Sequence, residues 1–185
     1  AKLISDGKVV GWFQGRSEFG PRALGNRSIL ADPRNPEMQK KLNLKIKHRE
    51  GFRPFAPSVL EEDYKKFFKG DILSPYMLMV KKINDNIRTN IPNNYESLQY
   101  WDKLYCIRSD LQAITHVDFS ARIQTVNKKN NYRYWSLIND FKMITDIGVL
   151  INTSFNVRGE PIVNNPEDAF KCFMNTEMDY LVIGN

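Results

Sequence analysis

The stretch from Gln14 to Ser28, which reads Gln-Gly-Arg-Ser-Glu-Phe-Gly-Pro-Arg-Ala-Leu-Gly-Asn-Arg-Ser, sets the tightest limit on what this chain can fold into. It follows an apolar run, Val9-Val10-Gly11-Trp12-Phe13, that reads as a short buried strand, so a sheet must deliver these residues as a loop at one of its ends. Gly15, Gly20 and Gly25 recur at five-residue spacing and allow positive φ and close approach to a ligand. Arg16, Arg22 and Arg27 bring planar cationic forks into the same turn. This combination suits a polyanion, because a guanidinium meets phosphate or carboxylate oxygens two at a time and glycine-lined amides can form an anion-binding concavity beside it. Trp12, Phe13, Phe19 and Leu24 interleave with the arginines and are expected to hold them partly out of water, against the plainer reading of a solvated loop stapled by Pro21.

A chain of 185 residues with 42% hydrophobic and 26% charged residues has the make-up of one globular domain with a substantial core. No apolar run approaches the roughly 18 residues of a membrane span, and no basic-then-apolar leader opens the sequence. Cys106 and Cys172 are far apart and outside any Cys-x-x-Cys spacing, which argues against a disulfide framework or zinc site and makes a reducing cytoplasm the expected compartment. The net charge of +6 is compatible with an anionic partner, whether nucleotide, nucleic acid, acidic metabolite or membrane surface, and composition alone does not choose among them. Its positive residues cluster at 14–28 and 40–53, which favours a local cavity over an even basic coat. Both ends read as interrupted elements, a helix closing at Gly7 and a strand from Tyr180 to Asn185, so the chain is expected to be a domain excised from a longer protein.

Along the chain, Ser28–Ala31 reads as a second strand, and a helix is predicted from Pro36 to about His48. A second cation cluster follows, Lys45-Ile46-Lys47-His48-Arg49-Glu50-Gly51-Phe52-Arg53-Pro54. Lysines complementing a helix dipole account for Lys45 but poorly for Arg53, which lies past a glycine. Glu61–Lys69 reads as a short helix burying Tyr64, Phe67 and Phe68, and Tyr76–Val80 as a strand whose methionines belong to the core. Residues 83–112 are polar and irregular, an insertion or a lid. In Phe119–Val126, period-two alternation sets Arg122 and Gln124 on one strand face, with Asp118 or a bound phosphate as the arginine's partner. His116 alone reads as a packing residue, and with only His48 for company it forms no metal pattern. A helix from Tyr132 to Met143 leads to the buried strand Val149–Ile151, at whose end Asn152-Thr153-Ser154-Phe155-Asn156 offer the short polar groups a nucleotide or carbonyl ligand needs, though they are also ordinary turn residues. A helix capped by Asn165 and a strand from Asp179 to Ile183 complete the chain.

Trp12–Arg16, Glu18–Leu30, Phe52–Pro57, Ala121–Val126 and Asn152–Asn156, taken together and in order, closely resemble the C-terminal domain of the O-carbamoyltransferases that modify antibiotics and nodulation factors. The resemblance spans the chain except for roughly 83–112. Phe119 stands where the family pattern has glycine, and Ser17 where it has methionine. The resemblance implies an α/β fold similar to threonylcarbamoyl-adenylate synthases, a twisted open, largely mixed sheet with flanking helices enclosing a basic cavity.

The same resemblance implies an enzyme that makes carbamoyl-adenylate from ATP and carbamoyl phosphate, with Mg2+ held on the substrate phosphates. Transfer to a hydroxyl would fall to an N-terminal metal-binding domain of the same protein. Carried onto this sequence, the catalytic positions are Arg22, Lys47 and Arg53, and the nucleotide-binding positions add Arg122, Asn152 and Ser154. The rival readings are a basic nucleic-acid-binding module, which the absence of an aromatic stacking ladder disfavours, and a non-catalytic domain that packs against an N-terminal partner.

Overall fold

The computed structural model describes residues 1–184. Seven strands form one mixed sheet: β1 (Val10–Phe13), β2 (Arg27–Ala31), β3 (Ala56–Leu60), β4 (Met79–Lys82), β5 (Ser120–Val126), β6 (Val149–Ser154) and β7 (Tyr180–Ile183). Their order across the sheet is β4-β5-β3-β6-β2-β1-β7, with β1–β7 and β3–β5 parallel and the other neighbours antiparallel. This is the twisted, mixed α/β sheet that the resemblance implied.

Strand alternation sorts the core onto the two faces. Leu30, Leu60, Val126 and Leu150 face α5 (Tyr132–Thr145) and α1 (Lys2–Ser5), where they meet Tyr134, Ile138 and Phe141. Ile29, Ala31, Val59, Ile123, Val149 and Ile151 face the other side, with Met38, Leu42 and Ile46, Tyr64 and Phe67 of α3 (Tyr64–Phe67), and Ala169 of α6 (Pro166–Met174). Asn131 caps α5 by accepting from the Tyr134 N–H. Asn165 and Asp168 form a reciprocal capping box on α6.

Several local expectations change. The helix expected from Pro36 to His48 is a single α turn, α2 (Met38–Lys41), followed by a π-helical turn over Leu42–Ile46. That inserted turn is why the apolar residues there only partly fit one helical face. The 76–80 strand is shorter and later than expected. Met77 is buried, but Met79 is exposed on the sheet's edge. Residues 83–112, with α4 at Tyr100–Tyr105, are rooted in the core through Ile83, Ile87 and Leu111. There the fully buried Arg108 donates to the carbonyls of Lys103, Leu104, Cys106 and Thr115. Phe119, where the resemblance led to an expectation of glycine, adopts φ 62°, the left-handed conformation that glycine takes without cost. Both cysteines are free thiols. Among the described residues no helix is long and apolar enough to cross a membrane.

Gly25 carries the close approach between the arginine loop and α5. Its φ is 109°, and a Cβ there would lie 2.2 Å from the Tyr134 ring. Gly25→Ala should therefore cost about 3 kcal/mol or more of unfolding free energy. Gly159→Ala, with positive φ but open space around it, should cost only about 1 kcal/mol. Chemical denaturation of both variants compares them, and equal losses would refute the steric account.

Candidate active site

At the end of the sheet where β6 finishes and β3, β5 and β2 begin, the α5 face changes character. The apolar row Leu150, Leu60 and Val126 gives way, two residues along each strand, to the polar row Asn152, Ser58 and Gln124. All three are at most 4% exposed and bond to one another: Ser58 Oγ donates to Gln124 Oε1 at 2.6 Å, and Asn152 Nδ2 reaches Gln124 Oε1 at 2.9 Å and Ser58 Oγ at 3.0 Å. The same amides reach upward. Gln124 Nε2 donates to the Leu24 carbonyl at 2.8 Å, and Asn152 Nδ2 to the Ala23 carbonyl at 3.1 Å. Asn152 Oδ1 is buried with no hydrogen-bond partner among the described residues.

These bonds seat the loop between β1 and β2, and the loop braces itself. Glu18 Oε1 accepts from the backbone N–H of Leu24 at 2.7 Å, Asn26 at 2.8 Å and, more weakly, Arg27 at 3.4 Å. Trp12 Nε1 donates to the Gly25 carbonyl. Arg27 is not a ligand fork, contrary to its grouping with Arg16 and Arg22. It is buried over the Phe13 ring and donates to the carbonyls of Gln14, Gly15, Asn26 and Asn164. Arg16 is exposed. Phe19 is fully exposed and shields nothing, and the aromatic shelter expected around the arginines is found at Phe13 under Arg27.

Arg22, at the loop's tip, and Arg122, on β5, line one cavity with Asn152 and Ser154. Both Nε atoms are buried without a partner, and neither side chain has an ion pair or hydrogen bond among the described residues. Burial and then the Arg22 charge lower the Arg122 pKa, so two like charges share a partly desolvated space. Asp118, one of the two partners expected for Arg122, is occupied by Lys82, His116 and Ser120.

A second cavity adjoins the first through Arg49 and Ser154, and brings in Lys47, Arg53, Asn156 and Arg158. Lys47 is 4% exposed, and its Nζ donates to the carbonyls of Ser154 at 2.6 Å and Asn156 at 2.8 Å and to Asn156 Oδ1 at 2.8 Å. Burial, then the Arg49 charge, lowers its pKa to about 7. Arg53 is exposed, with Nε paired to Glu50 at 2.9 Å. Arg49 lies against the Phe55 ring with Nε bonded to Asn43, and burial, then Arg53, lowers its pKa.

A family profile described as Carbamoyltransferase C-terminus matches residues 1–185. The chain belongs to the carbamoyltransferase C-terminal family. It is 46% identical to nodulation protein NolO of Bradyrhizobium diazoefficiens over 187 residues, covering 100% of this chain and 30% of that protein. It is 37% identical to the 3'-hydroxymethylcephem-O-carbamoyltransferase of Amycolatopsis lactamdurans, covering 98% and 31%. A 60% match to the uncharacterized protein sll1178 of Synechocystis sp. again covers 100% of this chain and 30% of the other. The chain thus spans about 30% of the length of the curated relatives it matches. Full-length HypF, solved in a phosphate- and nucleotide-bound form, shares the fold with a TM-score of 0.55 at 17% identity, over 100% of this chain and 24% of that one.

Within this carbamoyltransferase domain, all six residues predicted for the site fall on the two joined cavities: Arg22, Arg122 and Asn152 on the first, Lys47 and Arg53 on the second, and Ser154 on both. Sequence reasoning did not select Arg49, Asn156 or Arg158. Arg49 was within reach, because it sits in the second cation cluster two residues after Lys47. Asn156 and Arg158 become neighbours of Lys47 only when the chain folds.

Two outcomes test this geometry. Because Arg122 is opposed by Arg22 and has no acidic partner, Arg122→Met should leave the ligand-free chain as stable or up to about 1 kcal/mol more stable. A loss beyond about 2 kcal/mol in urea denaturation would mean that the guanidinium has a structural partner. For Lys47, the folded pKa of about 7 lies below the ordinary value of 10.5. The unfolded chain therefore holds a proton that the native chain has released across that window, and unfolding free energy should rise with pH from about 7 to about 10 and lose this slope below 7. Lys47→Met should flatten the rise, and equal pH profiles for the two proteins would overturn the shift.

Proposed function

We propose that this chain is the carbamoyl-adenylate-forming part of an O-carbamoyltransferase, with ATP and carbamoyl phosphate as its substrates. The observation that carries the reading is the pair Arg22 and Arg122: two half-buried guanidinium groups, each with a buried and partnerless Nε, sharing one cavity beside a second lined by Lys47, Arg49, Arg53 and Arg158. Two unit charges about 4 Å apart are worth about 4 kcal/mol at an effective dielectric of about 20, so an anion between the arginines converts a repulsion into a comparable attraction. The relatives named as carbamoyltransferases support the same reading.

Water releases carbamate and phosphate from carbamoyl phosphate. A carbamate oxygen then attacks the α-phosphorus of ATP, and the bond from that phosphorus to the pyrophosphate oxygen breaks. The step needs no covalent enzyme intermediate. It needs two anions held together and the charge growing on pyrophosphate stabilised, which the convergent cations supply. In this proposal Arg22 and Arg122 hold the α-phosphate region, while Lys47, Arg49 and Arg53 face the departing pyrophosphate. Ser154 and the free Oδ1 of Asn152 offer hydrogen bonds to the adenylate. Among the described residues no three of His, Cys, Asp and Glu gather where they could hold a metal, so Mg2+ would be carried by phosphate oxygens and water.

In this reading residues 1–185 are one such unit and 83–112 an insertion rather than a lid, which the bonds from Arg108 Nε to the Thr115 carbonyl and from the Tyr95 hydroxyl to the Val117 carbonyl support. Transfer to a hydroxyl is assigned to an N-terminal domain of a longer protein. The chain should bind ATP in calorimetry, and Arg22→Ala or Arg122→Ala should weaken it by at least about tenfold with the fold intact. With ATP, Mg2+ and carbamoyl phosphate the chain should release pyrophosphate and carbamoylate no alcohol. Unchanged affinity in both variants, or a carbamoylated alcohol, would sink the assignment.

A further inference from the structure

The loop between β1 and β2 lines two cavities with different residues. Pro21, Arg22 and Ala23 face the cationic cleft, whereas Glu18, Leu24 and Asn26 line a further cavity of about 400 Å3. The same division runs along β5 and the segment before β4: Arg122 and Met77 belong to the cleft, and Gln124 and Tyr76 to the other cavity. In a chain of net charge +6, Glu18 is the one charged residue among those lining this cavity. Its other hydrogen-bonding groups are mostly carboxamides, on Asn26, Gln124, Asn127, Asn130 and Asn131.

Four of those amides are engaged in building the fold. Asn131 Nδ2 donates to Asn26 Oδ1 at 3.1 Å, Asn127 Nδ2 to Glu61 Oε1 at 3.0 Å, and Gln124 Nε2 to the Leu24 carbonyl at 2.8 Å. The backbone N–H groups that Glu18 collects all fall on Oε1. Glu18 Oε2, the Asn130 amide and the Tyr76 hydroxyl make no hydrogen bond among the described residues. Arg27 feels the Glu18 charge through the loop, but its guanidinium is committed to carbonyls and does not line the cavity.

We infer that this cavity is a second binding site, for a small polyhydroxylated primary amine. It stands independently of the nucleotide reading of the cleft. Its volume lies within the range of about 300–1,000 Å3 that takes small organic ligands. A carboxylate with one uncommitted oxygen pairs with an ammonium and repels the phosphates and carboxylates that the neighbouring cleft attracts. Carboxamides donate and accept at once and so match hydroxyl groups, which do the same. The exposed Tyr76 ring adds a flat wall for the ligand's C–H face, and its hydroxyl a further partner. A bare divalent cation is a poorer occupant, because Ca2+ and Mg2+ take about six or more oxygens, and among the described residues no three of His, Cys, Asp and Glu gather to hold one.

Three six-carbon polyols that differ at one carbon test the recognition: glucamine ends there in an ammonium, sorbitol in a hydroxyl and gluconate in a carboxylate. In nitrogen–proton correlation spectra of the full chain, glucamine should give saturable shifts at the backbone amides of Leu24, Asn26 and 125–131 in the low-millimolar range. Sorbitol should bind at least about fivefold more weakly, and gluconate should leave those amides unmoved. Glu18→Gln keeps an oxygen for the loop's N–H groups and removes the charge, so it should bring glucamine down to the sorbitol level. Tyr76→Ala, at an exposed ring with no bond to the fold, should weaken glucamine and sorbitol alike by about threefold. No saturable shift with glucamine up to about 50 mM, or shifts confined to Arg22, Arg49 and Arg122, would overturn the site. Equal affinity for glucamine and gluconate, or unchanged glucamine binding in Glu18→Gln, would overturn the recognition of an amine.

Discussion

Arg22 and Arg122 repel each other across a cavity that contains no carboxylate to offset them, and most of the architecture at this end of the sheet serves to hold that arrangement. Backbone and amide bonds do the holding. Asn152, Ser58 and Gln124 lock three neighbouring strands together and grip the Ala23 and Leu24 carbonyls, and Glu18 gathers backbone N–H groups into its carboxylate. A carboxylate paired directly with either arginine would have been simpler, but it would have neutralised the cavity. Fixing the loop through its backbone leaves both forks free for a ligand, at the expense of the apo state's electrostatics.

The other buried cations are used differently. Arg27 and Arg108 each collect four carbonyl oxygens and act as cores around which irregular backbone folds. Buried carbonyls need donors, and a guanidinium supplies several from one fixed plane. Lys47 stands between the two classes. Its ammonium ties the end of β6 to the following turn, yet it borders the cavity and its proton is loosened by burial. These arginines therefore divide by internal satisfaction: Arg27 and Arg108, saturated with carbonyls, build the fold, and Arg22 and Arg122, whose Nε atoms have no partner, face the cleft.

The elements were legible where periodicity was clean. Alternation along 119–126 placed Arg122 and Gln124 on one face, and Asn165 and Pro166 announced α6. Residues 36–48 were harder because a π-helical turn shifts the repeat partway through. The Met79 misreading has an equally physical origin: an edge strand and a central strand share the same residue types, and only sheet order separates them. The six candidate site residues were visible as cations and small polar groups in loops and strands, and all six took their assigned roles from the family resemblance. Arg27 shows the limit, since nothing in its neighbourhood distinguishes it from Arg22.

The sequence by itself determined the loop, its glycines and cations, the strands that flank it and the family to which they belong, because these are encoded in runs a few residues long. Only the tertiary structure decided which cation is free, which is spent on carbonyls, and that Arg49, Asn156 and Arg158 join Lys47. Each of those outcomes depends on which backbone oxygens lie within hydrogen-bonding reach, and the oxygens around Lys47 come from residues more than a hundred positions away in the chain.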